Sequence, residues 1–402
     1  MSTFDCHPRI PALARLVAVA AIVLSPGALV HADSGGGLEK GSGDSFWQLL
    51  VGDRAGMPAG FDQDSWAVTA MQEWGGALYL GASTDPSSSY GCQVWRTTDG
   101  LTFTQVVKDG FGDSDNTELP AMAVFQEHLY AGTSNYDYGG DDSGARLWRT
   151  ADGVTWELVS SPGFGDPHTG HLRSLAVFDG ALYVGLGKRY AVPPRYESSV
   201  QIWRSNSGQP GSWALVFEEE TSPSELYVAD ALVVFGNQLY CVLADPETWL
   251  YPKLRRTTDG THWEEVPDFD LQCWFDRGES ASATVLGDHL YVAIISNLDG
   301  GLLCRSRDGV TWEPVPDVLV TKLATFAGAL YAGRPYGGVL RSANGLVWEG
   351  LGPGEINGAV HAFGSLRGRL YVSSMNPHQG CEVWRLFEPF PPWYHFQSVA
   401  TQ

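Results

Sequence analysis

The sequence predicts an all-β fold, a seven-bladed β-propeller of four-stranded antiparallel sheets. Three observations lead there. The dipeptide Leu-Tyr recurs with its tyrosine at 79, 130, 183, 240, 291, 331 and 371. An arginine follows each, one strand later, at 96, 149, 204, 256, 305, 341 and 385. Six of these arginines open a turn that runs Ser or Thr, any residue, Asp, Asn or Ser, then Gly. Seven copies spaced 40 to 57 residues apart are repeating units that must cover one another. Four short strands per unit at that period make each unit a blade.

The N-terminus comes first. Arg9 and Arg15 precede an apolar run from Leu16 to Leu24, and Val30-His31-Ala32 supplies small residues for cleavage. Residues 1–32 are expected to be a signal peptide, and the chain is expected to be secreted or periplasmic with no membrane insertion after cleavage. The Gly- and Ser-rich stretch 33–45 reads as a flexible linker. Residues 46–386 form the propeller, and 387–402 are a tail rich in proline and aromatics.

Each blade has its own strand signals. Blade one covers Ser65 to Val107, blade two Ala121 to Val159, blade three His171 to Phe217 and blade four Ala229 to Val266. Blade five covers Ser280 to Val315, blade six Thr321 to Leu351 and blade seven Val360 to Arg385. In blade three, Arg173 to Phe178 alternates and ends in Asp179-Gly180, a hairpin signal. Blade seven lacks a fourth strand, because three prolines interrupt the residues after Arg385. Phe46 to Leu50 resembles the fourth strand of other blades, so it is expected to complete blade seven and close the ring. Blades one to four carry long inserts between their second and third strands, which places the binding rim there.

Composition bounds the partners. The chain has 46 Asp and Glu against 25 Lys and Arg, a net charge of −21. Nucleic-acid binders neutralise phosphate with basic patches, so no nucleic-acid partner is expected. Five cysteines follow the signal, Cys92, Cys241, Cys273, Cys304 and Cys381. Their odd number leaves at least one outside any intramolecular disulfide. The absence of a Cys-x-x-Cys pair argues against a zinc cage.

The six turns carry Asp99, Asp152, Ser207, Asp259, Asp308 and Asn344 at the third position. Phe103, Trp156, Trp213, Trp263, Trp312 and Trp348 close them. A side-chain oxygen at that position can accept N–H bonds inside its own turn, and the glycine takes a positive φ. This pattern resembles the Asp-box, or BNR, repeat of the sialidase-like propellers, and it spans almost the whole mature chain. The unit is also similar to repeat proteins of bacteria without a defined role. The resemblance implies a propeller fold and a structural role for the turns. It also implies that a sialidase would need an arginine triad, a Tyr–Glu pair and an early Phe-Arg-Ile-Pro motif. That motif is absent, and Gly333-Arg334-Pro335 is the nearest echo.

Candidate chemistry sits on the connections into the first strands. They carry Asp62 and Asp64; Asp113, Asp115 and Glu118; His168, His171 and Arg173; Glu225, Tyr227 and Asp230; Asp276, Arg277 and Glu279; Lys322; and His361. His171, Tyr227 and Arg173 would suit proton abstraction from a uronic acid. Glu118 and Glu279 would suit glycoside hydrolysis. Asn135, Asp137 and Asp141 place oxygens at alternate positions, a candidate calcium loop without the full EF-hand pattern. Tyr90, Tyr136, Tyr138, Tyr190, Tyr196, Trp249 and Tyr251 lie outside the repeated positions and suit sugar rings or protein partners. No cofactor beyond calcium is implied.

No complete catalytic motif is present. The leading expectation is an extracellular ligand-binding module without catalysis, its ligand a glycan or a protein. Its contacts would come from Asp64, Glu118, His168, His171, Arg173, Asp230, Tyr136, Tyr138 and Trp249. The alternative is a polysaccharide hydrolase or lyase with acid–base groups around the central channel.

Overall fold

The computed structural model describes residues 38–40, 46–52, 61, 65–85, 89–135, 143–190, 197–222, 225–245, 251–269, 280–295, 301–352, 356, 358–376 and 380–387. The chain divides into two compact units, Met1–Ser34 and Gly35–Gln402, and every described residue belongs to the second. Asp64, Tyr136, Asp137, Tyr138, Asp141, Trp249 and Glu279 lie outside the described residues, as do the predicted signal peptide and most of the tail. No described helix is long and apolar enough to cross a membrane.

The architecture is an all-β propeller. Repeats two to six each form a separate four-stranded antiparallel sheet. Repeat three shows the plan: His171–Phe178, Ala181–Tyr190, Glu197–Ser205 and Ala214–Thr221 pair in chain order. Two-residue turns join first to second strands, as at Asp179-Gly180, where both φ angles are positive.

The expectation of seven separate blades closed into a ring does not hold. Repeats one and seven belong to one continuous nine-stranded sheet, so the described residues form five four-stranded sheets and one larger one. The join is a single bridge, Met375 opposite Ala67. The Asn376 N–H to Trp66 carbonyl bond of 2.9 Å and the Cys381 N–H to Ser65 carbonyl bond of 3.1 Å reinforce it. Backbone pairing across this junction is invisible to a pattern of side chains, which is why the repeats suggested two sheets.

The N-terminal strand Phe46–Val51 lies antiparallel to Val383–Phe387, with Leu49 opposite Trp384 and Trp47 opposite Leu386. A further strand, Leu38–Lys40, pairs on its outer side. That strand falls within the stretch read as a flexible linker.

The core is distributed between repeats rather than within them. Among the described residues seven apolar clusters form, each drawn from two successive repeats. One joins Ala121, Phe125 and Leu147 to Leu172, Leu182 and Val184. Another joins Val51, Val383 and Cys381 to Val68, Leu78 and Leu80, coupling the seventh repeat to the first. All seven Leu-Tyr tyrosines are buried to within 1 %. Each such side chain removed from water contributes about 1.5–3 kcal/mol, so the repeated tyrosines stitch neighbouring sheets.

Cys92, Cys241 and Cys381 are buried and outside any disulfide, and burial pushes the Cys92 and Cys241 thiols far up. Cys304 is held in a disulfide.

Candidate functional site

The first strands of successive repeats touch one another, and their opening residues wall a cavity of about 500 Å³. Its wall includes Trp66, Thr69, Glu118, Pro120, Arg173, Asp230, Ser280, Lys322, Pro335, Tyr336 and His361. Every repeat contributes.

A common backbone device places many of these side chains. The strand register skips Trp66 and Thr69 in repeat one, Arg173 in repeat three, Asp230 in repeat four and His361 in repeat seven. In repeat two, the pairing jumps from Glu118 to Ala121 and leaves Leu119 and Pro120 opposite one partner. A β-bulge breaks the alternation of a strand and re-aims a side chain. The bulged residue can then face the cavity while its neighbours stay in the sheets. Leu172 and Ser174 beside Arg173 are buried, as are Ala229 and Ala231 beside Asp230.

The wall charges alternate in sign. Arg173 Nη1 donates to Glu118 Oε2 at 3.2 Å. Asp230 Oδ2 accepts from Ser280 Oγ at 2.9 Å and from the Ala281 N–H. Burial lowers the pKa of Lys322, and Arg173 lowers it further, while Asp230 acts in the opposite sense. Burial also holds His361 down to about 4, with Lys322 and Arg173 adding to the shift. The imidazole is therefore neutral at pH 7.

The predicted lyase trio is not assembled on this wall. Arg173 faces the cavity, but His171 is paired with Gly187 in its sheet and is 8 % exposed. Burial, Arg173 and Arg189 lower the His171 pKa to about 3. Tyr227 is part of the apolar cluster between repeats three and four, and its hydroxyl donates to the Tyr251 carbonyl at 2.9 Å. Lys253 Nζ stands 4.3 Å from the Tyr227 ring centre. His168 lies in the loop before the strand, where its N–H bonds Asp166 at 3.1 Å and its carbonyl accepts from Arg189 at 3.1 Å. Alternation along a strand cannot tell a wall residue from a sheet residue when a bulge intervenes.

Asn135 is buried, its N–H bonded to the Gly170 carbonyl at 2.9 Å and its amide to Ser143. Its predicted calcium partners Asp137 and Asp141 are outside the described residues. Among the described residues no group of three or more His, Cys, Asp or Glu is placed to hold a metal ion. Exposed aromatics do occur: Tyr90 and Tyr251 are 52 % and 53 % exposed.

Trp66 and Tyr336 were not singled out by the sequence, yet both line the cavity. Tyr336 is 85 % exposed. The available signal was that both aromatics fall outside the repeated positions.

The turns are a separate system. Asp99 Oδ1 accepts the Leu101 and Thr102 N–H groups at 2.8 Å, and Thr97 Oγ1 accepts the Gly100 N–H at 2.8 Å. Asp152, Asp259, Asp308 and Asn344 repeat the arrangement. Burial of Asp99 opposes ionisation, but the backbone donors outweigh it and hold the carboxyl down to about 2. Trp156, Trp263, Trp312 and Trp348 pack into the clusters between repeats.

No family model matches the chain, and no curated protein matches it. Among solved structures, a protein of unknown function from Dyadobacter fermentans aligns at a TM-score of 0.51 and 11 % identity, covering 83 % of this chain and 98 % of that one. The β-propeller domain of the Trilobed protease from Pyrococcus furiosus aligns at 0.49 and 10 % identity, covering 81 % and 94 %. The sialidase of Trypanosoma rangeli aligns at 0.43 and 12 %, covering 79 % and 59 %. What the first of these shares with the chain is the fold, the β-propeller that its own sheets display.

Proposed function

We propose that this chain is an exported binding module that takes a saccharide in the cavity at its hub and does not turn it over. One observation carries the reading: bulges deliver a charged or aromatic side chain from several repeats to one cavity of about 500 Å³. A pocket of that size with convergent polar groups is a ligand site by default. Trp66 and Tyr336 offer faces for a sugar ring. Glu118, Asp230 and Ser280 offer acceptors for its hydroxyls.

Binding is favoured over catalysis because the wall carboxylates already accept protein hydrogen bonds, and His171 and Tyr227 sit off the wall. The same reading takes the six turns as Asp boxes with a structural role and the N-terminus as a secretion signal.

A glycan array, followed by turnover assays on its hits, tests this. Bound glycans that survive incubation intact, with affinity lost about tenfold or more in Asp230→Asn, support the reading. Steady product release from any hit overturns it, and so does an array with no hit.

A further inference from the structure

We infer that the ligand of the hub cavity carries a carboxylate and that Lys322 receives it. This deepens the saccharide reading and rests on it for the rest of the ligand.

Lys322 opens its strand opposite Gly333 and stands half-buried on the cavity wall. While its backbone pairs in the sheet, among the described residues its side chain makes no hydrogen bond and no ion pair. The other walled-in lysines do: Lys188 is held by Asp166 and Glu197 at 2.8 Å each, and Lys253 by Glu219 at 3.3 Å. Among the described residues no carboxylate is bonded to this ammonium, and Asp230 attracts it only through space.

A half-buried ammonium gains from an oppositely charged partner. Burial is what disfavours its charge; of the wall charges Asp230 attracts it and Arg173 repels it more weakly, and Asp230 Oδ2 accepts from Ser280 and Ala281 rather than from Lys322. An oxyanion would supply what Lys322 lacks, through charge-assisted bonds that are roughly twice as strong as neutral ones.

The remaining wall charges select the kind of oxyanion. Glu118 and Asp230 face the same space and would repel a doubly charged phosphate. A monoanion with hydroxyls suits them, since the hydroxyls can donate to the carboxylates while the anion meets Lys322. The cavity volume admits one sugar-sized molecule.

Titration calorimetry on the full chain with glucuronate, glucose, acetate and inorganic phosphate tests the assignment. Glucuronate should bind about tenfold or more tighter than glucose. Lys322→Met should abolish the preference for glucuronate over glucose, and Lys322→Arg should keep part of it. Because the substitution removes an unpaired ammonium, Lys322→Met should melt no lower than the parent, which excludes misfolding as the cause.

Equal binding of glucose and glucuronate would overturn the inference while leaving the saccharide reading intact, as would phosphate binding more tightly than glucuronate. Lys322-dependent acetate binding without any sugar binding would keep the inference and remove the saccharide reading. No binding of acetate or glucuronate overturns the inference.

Discussion

At Gly260 two demands meet in one residue. Its φ is +75°, and an added Cβ would lie 1.7 Å from the Tyr183 hydroxyl oxygen. Gly100, Gly153, Gly208, Gly309 and Gly345 meet Tyr371, Tyr79, Tyr130, Tyr240 and Tyr291 in the same way, so each turn seats on the tyrosine of the preceding repeat. Gly260→Ala is predicted to destabilise by about 1–2 kcal/mol from backbone strain alone, and by more from the displaced tyrosine. In a Tyr183→Phe background the alanine should cost less, and urea denaturation of the four proteins in the cycle measures the difference.

Two kinds of residue set the acid response. Asp99 and Asp308 have folded pKa values of about 2, below the ordinary carboxylate value near ~3.9. Their contribution is whole above pH ~4 and is lost as pH falls toward about 2. His171 and His361, at about 3 and 4, are kept neutral by burial, while the unfolded chain protonates them near ~6.5. Their contribution therefore begins to fall below pH ~6.5, before the turns respond. The double variant His171→Gln with His361→Gln should flatten the melting temperature between pH 6.5 and 4, and an unchanged slope would refute this assignment.

At the scale of elements, the connections between sheets act as wedges. Phe111 stacks on Trp148 with ring centres 4.6 Å apart and meets Trp156 edge-on at 5.5 Å. Phe164 meets Trp203 and Trp213 at 5.3 and 5.7 Å, and Phe61 stacks on Trp95 at 4.5 Å. Both Gly110-Phe111 and Gly163-Phe164 run through successive positive φ angles, which turn the phenylalanine back into the seam. Phe111→Ala should cost about 3–5 kcal/mol by urea denaturation.

The packing of Phe111 and Phe164 was not legible in the sequence, because their partner tryptophans sit about forty residues away along the chain. The bulges were less legible still. Arg173 beside Ser174 interrupts an apolar alternation, yet a polar pair reads equally well as an exposed strand end. The sequence could therefore nominate Glu118, Arg173, Asp230, Lys322 and His361 for the hub without separating them from His168, His171 and Tyr227.

Across the whole molecule, the repeat was plain because each copy reuses a tyrosine, an arginine and a turn. The number of sheets was not, because one bridge between Met375 and Ala67 fuses two repeats. The N-terminal strand ties that sheet to repeat six: Trp47 is fully buried, and its indole donates to the Leu351 carbonyl at 3.1 Å. Deleting residues 33–52 should expose the Val383–Phe387 edge and abolish cooperative thermal unfolding by calorimetry. A truncated chain that melts like the parent would contradict this.

The central claim is that register-shifted residues of the first strands build a ligand cavity, while the turns only brace the fold. Indole N–H resonances report on both regions at once, and the Trp66 signal can be assigned with Trp66→Phe. On titration with glucuronate, the Trp66 resonance should shift while those of Trp156, Trp263, Trp312 and Trp348 stay in place. A shift confined to the turn tryptophans, with Trp66 unmoved, would contradict the account.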